Sequence, residues 1–386
     1  MIRLADLLAN PFDDELRLVY ADQQQRVGDP RGELAVIQDR LRRDPDSAEL
    51  RAAEARLRGA LLGTLAGSGE LPNTEDTQPL ALAWHLGFIR RARLQLTNYG
   101  REQDAAAELA KLLAHDSAVL LEELQIRVVN WTRHVPVDAF VEQIIAAGPR
   151  PAMRSLDLGD FIEFAPNWGG PGHAYVDRDI SPVYLGRVGE LWPLCPRLEE
   201  VRLQGNAPVL GPAIDLPELR VLELCGSSIG KERCDVLARA RWPALERLVV
   251  WFGDCEYGGD EAADWDDVAR LLASLDGGCP RLVHLALANS PCTDEILETM
   301  VAHPPIALLR RLRRLDLSLG TLGPDGVRSL LQLRPHLEAL EWLNVADGYL
   351  DATSVARLRA AWPACRILAG SQDDPAESPR YCTVGE

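Results

Sequence analysis

A short leucine phrase recurs down most of this chain and constrains its fold more than any other feature. The phrase is LxxLxL, with leucine or a close substitute at its first, fourth and sixth positions. It occurs at Leu121-Leu124-Ile126, Met153-Leu156-Leu158, Leu198-Val201-Leu203, Leu219-Leu222-Leu224, Leu245-Leu248-Val250, Leu282-Leu285-Leu287 and Leu312-Leu315-Leu317, with a weaker copy at Leu340-Leu343-Val345. A repeat of this kind predicts one strand per turn of a solenoid, not a globule closed around one pocket.

Between these phrases the apolar residues recur at helical spacing. The clearest helical segments are 105–113, 137–146, 232–240, 266–275, 294–301, 325–333 and 353–361. Strand, loop, helix and return make a unit of roughly 25–30 residues, which resembles the ribonuclease-inhibitor-like class of leucine-rich repeats. The resemblance predicts an α/β fold, a right-handed leucine-rich repeat solenoid with a concave parallel sheet and convex helices, preceded by a small all-α module. A first solenoid strand is predicted at Leu94-Gln95-Leu96.

The first 62 residues favour helices and carry no strand signal. Asp13 or Asp14 can cap a helix that ends near Val27-Gly28-Asp29-Pro30, and two further helices follow. The stretch DDELRLVYADQQQRVGDPRGELAVIQ resembles the repeat-companion domain of the myxobacterial and planctomycete type, which precedes repeats and has no known catalytic role to transfer. The matching residues are Asp14, Arg17, Leu18, Val19, Tyr20, Ala21, Asp22, Gly28, Asp29, Pro30, Arg31, Glu33 and Gln38.

One departure from that family is clear, since Gln23 stands where the family usually has Trp. The resemblance implies a bacterial protein and covers only about the first 45 residues. Its polar residues are interpreted as a structural network at a helix corner or, alternatively, as a binding surface; they are Arg17, Asp22, Asp29, Arg31 and Glu33.

The predicted organisation has four parts. Residues 1–62 form the companion module, 63–80 a linker, 81–370 the solenoid and 371–386 a tail. Two inserts, at 159–189 and 251–265, interrupt the solenoid. Pro ends several helices in phrases such as Trp242-Pro243, and the preceding Trp is expected to pack over the helix end.

The net charge limits the classes of partner that this chain can bind. The formal net charge of −17 argues against nucleic acid and against an anionic membrane surface, both of which require a basic protein. A basic or mixed-charge protein partner fits better, although acidity can also serve solubility alone. The chain shows no signal peptide and no window of about 18 apolar residues. Its eight scattered cysteines are expected to be reduced in the cytoplasm.

No motif for catalysis, cofactor binding or metal binding is present. The chain has no P-loop, no GxGxxG after a strand, no GxSxG elbow and no HExxH, and its cysteines and histidines lack zinc-ligand spacing. We therefore expect no enzyme activity, no cofactor and no structural zinc. Calcium binding by the acidic second insert is a further alternative, although its acids lack the DxDxDG spacing.

The inserts supply one group of candidate binding residues. The first is aromatic, with Phe161, Trp168 and Tyr175; the second is WFGDCEYGGDEAADW, with Phe252, Asp254, Glu256, Tyr257 and Asp260. Both follow a strand and precede a helix, so we expect them on one rim of the solenoid. Such loops suit a protein-binding site. Alternatively, they are tolerated surface insertions.

The sheet face supplies the second group. In LxxLxL the leucines point inward, and the alternating residues are expected on the exposed face of the sheet. The candidates there are Arg202, Glu223, Arg247, Trp251, His284, Arg314 and Asp316. An apolar patch is expected near Val249, Trp251, Ala286 and Ala288, with Trp251 as the anchor. The alternative is an ordinary solvated sheet face.

These features together predict a non-enzymatic module that binds a protein partner, as a scaffold or adaptor. One alternative is a regulatory or sensor subunit that controls a separately encoded enzyme. A less favoured alternative is an enzyme such as a leucine-rich repeat ubiquitin ligase. That class needs a further domain with a nucleophilic cysteine, for which the repeats leave no room in this sequence.

Overall fold

The computed structural model describes residues 2–63, 68–70, 80–96, 102–128, 135–159, 183–226, 229–253, 261, 263–374, 376 and 379–382. The α-helices are α1 (Leu4–Ala9), α2 (Asp14–Arg26), α3 (Pro30–Arg43), α4 (Ala48–Leu62), α5 (Glu102–Ala114), α6 (Asp138–Ala146), α7 (Lys231–Arg239), α8 (Trp265–Gly278), α9 (Thr293–Ala302), α10 (Ile306–Arg311), α11 (Pro324–Leu333) and α12 (Ala352–Ala361).

The strands are β1 (Ser68–Glu70), β2 (Leu80–His85), β3 (Phe88–Leu96), β4 (Glu123–Val128), β5 (Val135–Pro136), β6 (Ser155–Gly159), β7 (Val183–Tyr184), β8 (Glu200–Gln204), β9 (Val221–Cys225), β10 (Arg247–Trp251), β11 (His284–Ala288), β12 (Arg314–Asp316), β13 (Trp342–Asn344) and β14 (Arg366–Leu368). Of these, β4, β6 and β8 to β13 coincide with the leucine phrases, and the other strands do not.

The chain divides into two compact units. Unit 1 comprises Met1–Asn130, Ala139–Asp157 and Pro193–Leu198; unit 2 comprises Trp131–Asp138, Leu158–Trp192 and Glu199–Glu386. The domain boundaries that the sequence predicts at 62, 80 and 370 stay predictions.

The helices at the start of unit 1 are set by their caps. The Asp13 side chain accepts the N–H of Leu16 at 2.9 Å, which begins α2 where the sequence predicts it. Gly28 then takes a positive φ of 78°, which ends the helix. The Asp29 carboxylate accepts the N–H of Arg31 at 2.9 Å and caps α3. The short helix α1 precedes these and has no counterpart in the sequence-based prediction.

A buried ion pair lies within unit 1. The Arg17 side chain is only 2% exposed. It donates to the carbonyl of Pro11 and, at 2.9 Å, to the Glu122 carboxylate, which also accepts Arg90 at 3.1 Å. Asp29 and Arg31 pair with each other nearby in the sequence. Arg17, Asp29 and Arg31 therefore make structural contacts. Whether residues 1–62 are a repeat-companion domain remains a proposal.

The sheet of unit 1 departs from the predicted parallel pattern at its start. β2 pairs antiparallel with β3, and β3 then pairs in parallel with β4. The hairpin turn, Leu86-Gly87, has positive φ at both residues. At Gly87 a Cβ would lie 2.5 Å from the carbonyl oxygen of Arg31, so only glycine fits. The predicted strand at Leu94-Gln95-Leu96 is thus the end of a longer strand.

Unit 2 holds the regular repeats. Within the described residues, β8 to β14 lie in chain order and every neighbouring pair is parallel. The central leucines stand in register from strand to strand, and each is at most 1% exposed: they are Leu222, Leu248, Leu285, Leu315 and Leu343. Helices cover the predicted segments, and α10 is an additional short one. The predicted fold class, a leucine-rich repeat solenoid, is confirmed.

Three tryptophans, each in the segment that leads to the next strand, connect neighbouring turns of the repeat in unit 2. The indole N–H of Trp192 donates to the carbonyl of Leu210 at 2.9 Å, that of Trp242 to Ile214 at 3.2 Å, and that of Trp362 to Leu337 at 3.2 Å. All three rings are buried. Each bond satisfies a polar group that the close packing removes from water, which explains why Trp recurs there.

Candidate partner-binding surface

The face of β8 to β14 opposite the leucines consists of three rows of side chains, because alternate residues of a strand share a face. Strand register defines them. The first row is Glu200, Val221, Arg247, His284, Arg314, Trp342 and Arg366; the second is Arg202, Glu223, Val249, Ala286, Asp316, Asn344 and Leu368; the third is Gln204, Cys225, Trp251 and Ala288.

Only the first row is open to solvent along its length. Arg314 and Arg366 are exposed, and the remaining members are half-buried. His284 contacts Trp342 edge to face, with ring centroids 6.1 Å apart. Arg314 lies on the strand between the strands of these two residues. Within the part of the chain that the structure describes, the Arg314 side chain has no ion pair or hydrogen bond.

The second and third rows correct the expectation of an exposed face. In the second row Glu223 is 3% exposed and Asp316 is fully buried. The predicted apolar patch forms, but Val249, Trp251, Ala286 and Ala288 pack with Cys225 and Leu319 in a buried cluster. Alternation along a strand assigns each side chain to a face, but it does not decide whether water reaches that face.

Trp251 and Phe252 differ most from their predicted role as exposed anchors. Trp251 is 0% exposed and Phe252 is 3% exposed. The backbone of Phe252 continues the strand ladder, since its N–H donates to the carbonyl of Ala288 at 3.2 Å and its carbonyl accepts the N–H of Ile229. Both aromatics therefore serve packing in this structure.

Glu223 is held between two arginines. Its Oε1 lies 3.0 Å from Nε of Arg247 and 3.6 Å from Nε of Arg202, and Arg202 also pairs with Glu200 at 2.9 Å. The Arg247 contact is an ion pair without hydrogen-bond alignment, because Arg247 Nε has no hydrogen-bond partner. Both arginines keep 29% of their side chains exposed. The pairing explains how a carboxylate can be buried on this face.

Asp316 and His284 have pKa values shifted by their surroundings. Burial raises the pKa of Asp316 to about 6, against hydrogen bonds from the Ser318 hydroxyl (2.6 Å) and backbone N–H (3.0 Å), from Asn344 (3.3 Å), and the charge of Arg247. Burial, with the charges of Arg247 and Arg314, lowers the pKa of His284 to about 3. At neutral pH the imidazole is therefore uncharged.

Four members of these rows were missed at the sequence level, namely Trp342, Asn344, Arg366 and Leu368. For the first two a signal existed. Trp342 and Asn344 lie in the weaker leucine phrase Leu340-Leu343-Val345, and the same alternation places them in the first and second rows.

Most of the insert residues lie outside the described part of the chain. These are Phe161, Trp168, Tyr175, Asp254, Glu256, Tyr257 and Asp260. The start of the first insert is described: Gly159 ends β6 with a φ of 113°, and a Cβ there would lie 1.7 Å from the carbonyl oxygen of Gln204. Glycine is therefore required where β6 gives way to the insert. The predicted rim stays a prediction.

The described cysteines are free and mostly buried. Burial raises the pKa of Cys195 to about 12 and that of Cys365 to about 11, and it also raises those of Cys225 and Cys279. A thiol with a raised pKa stays protonated at neutral pH and is a poor nucleophile. Among the described residues, no three His, Cys, Asp or Glu side chains group so as to hold a metal ion. No helix in the described ranges has both the length and the apolar character needed to cross a membrane.

No family model matches the chain, and no curated protein matches it. Among solved structures, a Bacteroides fragilis protein is similar at 18% identity over 75% of this chain and 76% of that one, with a TM-score of 0.57. The leucine-rich repeat-containing protein LegL7 of Legionella pneumophila is 16% identical over 74% and 77%, with a TM-score of 0.35. A leucine-rich repeat protein of Leptospira interrogans is 17% identical over 67% and 68%, with a TM-score of 0.23. The first of these likenesses concerns the fold alone, and the other two are too low in TM-score to carry an argument.

Proposed function

We propose that this chain is a protein-interaction module, a scaffold or adaptor without catalytic activity of its own, and that a partner binds along the first row of β8 to β14. The observation that carries the proposal is Arg314, an exposed guanidinium with no ion pair or hydrogen bond among the described residues, on the strand between those of the half-buried His284 and Trp342. Arginine and tryptophan are the side chains most enriched among residues that dominate binding energy.

The chemistry of the row favours a partner segment with an acidic side chain beside an apolar or aromatic one. The guanidinium of Arg314 can pair with a carboxylate in bidentate fashion. The uncharged His284 and the edge-packed Trp342 offer an apolar surface next to it. The neighbouring second row supports the first through Glu223, whose carboxylate pairs with Arg247 of the first row.

We further propose that the two inserts bind a second part of the partner and that the partner is of mixed charge. We place the second contact on the rim formed by Asp254, Glu256, Tyr257 and Asp260 of one insert and by Phe161, Trp168 and Tyr175 of the other. Acids on such a rim would steer a basic segment of the partner during association. Trp251 and Phe252 support this surface as packing residues and do not contact the partner.

The cysteines and the composition support the remaining parts of the proposal. The raised pKa values of Cys195, Cys225, Cys279 and Cys365 disfavour a thiol nucleophile at those positions. Free cysteines suit a reducing cytoplasm. We also propose a bacterial source, no nucleic acid or membrane partner, and a repeat-companion role for residues 1–62.

Site-specific photocrosslinking tests the location of the partner. A photoreactive benzoyl-phenylalanine replaces Arg366, an exposed member of the first row, and in a second sample replaces Arg357 on α12, which is exposed on a helix. Both full-length proteins are irradiated in a lysate of the native organism, and the crosslinked proteins are identified by mass spectrometry. A protein crosslinked from position 366 and absent at 357 supports the proposal. The same protein crosslinked only from position 357 contradicts it.

A further inference from the structure

The tail of the chain returns to the loops that follow the strands of unit 2. Residues 379–382 are described there, and they contact three neighbouring turns of the repeat: Asp294 at the start of α9, Thr321 in the loop after β12 and Tyr349 in the loop after β13. The central contact of the tail is the side chain of Arg380.

The Arg380 guanidinium is bound from three directions. Its Nη1 donates to Oδ2 of Asp294 at 2.8 Å and to the carbonyl oxygen of Thr321 at 3.3 Å. Its Cζ lies 5.9 Å from the centre of the Tyr349 ring, within the range of a cation–π interaction. An ion pair, a carbonyl acceptor and an aromatic face together recognise a guanidinium better than an ammonium, whose donors are fewer and whose charge is not planar.

The Asp294 carboxylate is held by the fold and not by the tail. Oδ1 of Asp294 accepts the backbone N–H of Gly323 at 2.8 Å, which orients the carboxylate and leaves Oδ2 for the guanidinium. The Asp294 side chain is 13% exposed, so its charge is only partly hydrated. A Cβ at position 323 would overlap the guanidinium, so Gly323 provides the space that Arg380 fills.

The backbone after Arg380 is fixed by the same turn. The N–H of Tyr381 donates to the Tyr349 hydroxyl at 3.0 Å, and that hydroxyl donates to the Tyr381 carbonyl at 3.4 Å. The Tyr381 ring itself is 54% exposed, whereas Cys382 is buried. The tail is thus bound through the Arg380 side chain, through its backbone and through the buried Cys382, as a short peptide would be.

We propose that Asp294, Thr321 and Tyr349 form a binding site for an arginine side chain, which Arg380 of the chain's own tail fills. A basic segment of a protein partner would occupy the site by displacing the tail. The site itself stands independently of the first row, and only its use by a partner rests on the proposed function. Because a tethered occupant has an effective concentration that can reach about the millimolar range, a free arginine-containing segment must bind better than the tail to replace it.

Hydrogen exchange on the full-length chain tests whether Arg380 secures the tail. Asp294→Asn keeps the acceptor for Gly323 but removes the charge, and Arg380→Ala removes the guanidinium. Each is expected to speed exchange of the Tyr381 amide by about tenfold or more, since charge-assisted hydrogen bonds are the stronger class. The control is Asp325→Asn, which removes an exposed carboxylate paired with Arg328 on α11, and it should leave the Tyr381 rate unchanged.

Fluorescence anisotropy tests whether the site accepts an arginine from outside. The probe is a labelled peptide of residues 374–383 carrying Cys382→Ser. We expect it to bind full-length Arg380→Ala at least about tenfold more tightly than the wild type, and the double variant Arg380→Ala with Asp294→Asn to lose that gain. Lysine in place of arginine in the peptide should also lose it.

Two results would overturn the proposal. One is an unchanged Tyr381 exchange rate in both Asp294→Asn and Arg380→Ala; the other is peptide binding that is equal for the wild type and Arg380→Ala. Thermal unfolding of each variant establishes that it folds. If Asp294→Asn does not fold, Arg380→Ala alone decides the exchange experiment. Peptide binding together with an absent crosslink at position 366 would retain the arginine site and reject the first-row proposal.

Discussion

The two faces of strands β8 to β14 follow different rules. On one face an aliphatic residue, leucine in most strands, stands at the register position of Leu222, and Leu222, Leu248, Leu285 and Leu315 are all buried. On the other face, members of a single row range from the exposed Arg314 to the half-buried His284, and adjoining rows contain the buried Glu223 and Asp316. The leucine face defines the fold, whereas the other face carries side chains that differ in type and burial from one strand to the next.

The largest expected effect on stability is that of replacing Trp251. Because Trp251 is buried on the face opposite the leucines, Trp251→Ala should lower the free energy of unfolding by about 3–5 kcal/mol, comparable to the about 2–5 kcal/mol expected for Leu285→Ala. Denaturant unfolding measures both. Trp265 is 45% exposed, and Trp265→Ala should cost about 0.5 kcal/mol or less. A Trp251→Ala variant as stable as the Trp265→Ala control would show that this face is solvated.

The next effect concerns the buried charge of Glu223. Glu223→Gln leaves Arg202 and Arg247 without their shared carboxylate and should destabilise the chain by about 2 kcal/mol. This is less than the 3–5 kcal/mol typical of a fully buried pair, since the arginines keep 29% exposure. Glu246 forms an exposed pair with Arg220, so Glu246→Gln is the matched control, at about 0.5 kcal/mol or less. Equal costs for the two variants would contradict the assigned burial.

A smaller effect is that His284 and Asp316 make stability depend on pH in opposite directions. The lowered pKa of His284, about 3, gives stability that is present above pH 6.5 and is lost as the pH falls toward 3. The raised pKa of Asp316, about 6, gives stability that is present below pH 3.8 and is lost as the pH rises through 6. Between about pH 4 and 6 the contribution of His284 to stability rises with pH and that of Asp316 falls. Each has a slope of at most about 1.4 kcal/mol per pH unit.

Single variants separate the two contributions. Relative to the wild type, Asp316→Asn should make stability rise more steeply with pH between about 4 and 6, and His284→Asn should make it fall. Urea unfolding at a series of pH values measures the slopes. If the two variants change the slope in the same direction relative to the wild type, the burial of one of the two groups is contradicted.

Much of the fold was predictable because the leucines of the repeated phrase are the residues that each strand buries. The positions of β8 to β13 follow from it, the helical spacing of apolar residues places α7, α8, α9 and α11, and the Asp13 cap places the start of α2. The hairpin at Leu86-Gly87 was not predicted, because it depends on how closely Gly87 approaches Arg31. Likewise α10, with six residues, is too short for a period to show.

The candidate surface was predictable only in part. Alternation correctly assigns Arg202, Arg247 and Trp251 to one face. It could not separate the exposed first row from the buried rows, because the burial of Glu223 depends on its ion pairs and that of Trp251 on packing against neighbouring strands. The Arg380 site joins residues 86 positions apart in the chain, at Asp294 and Arg380, and no local pattern signals it.

The most direct test of the central claim is the dissociation constant of the crosslinked partner, measured by calorimetry for three full-length proteins. Arg314→Ala should weaken binding by about tenfold or more, as expected for a central arginine, and should leave the unfolding midpoint unchanged because Arg314 is exposed. Arg357→Ala on α12 should bind like the wild type. Unchanged affinity in Arg314→Ala, with a loss in Arg357→Ala, would place the partner on the helical surface and contradict the proposed role of the first row.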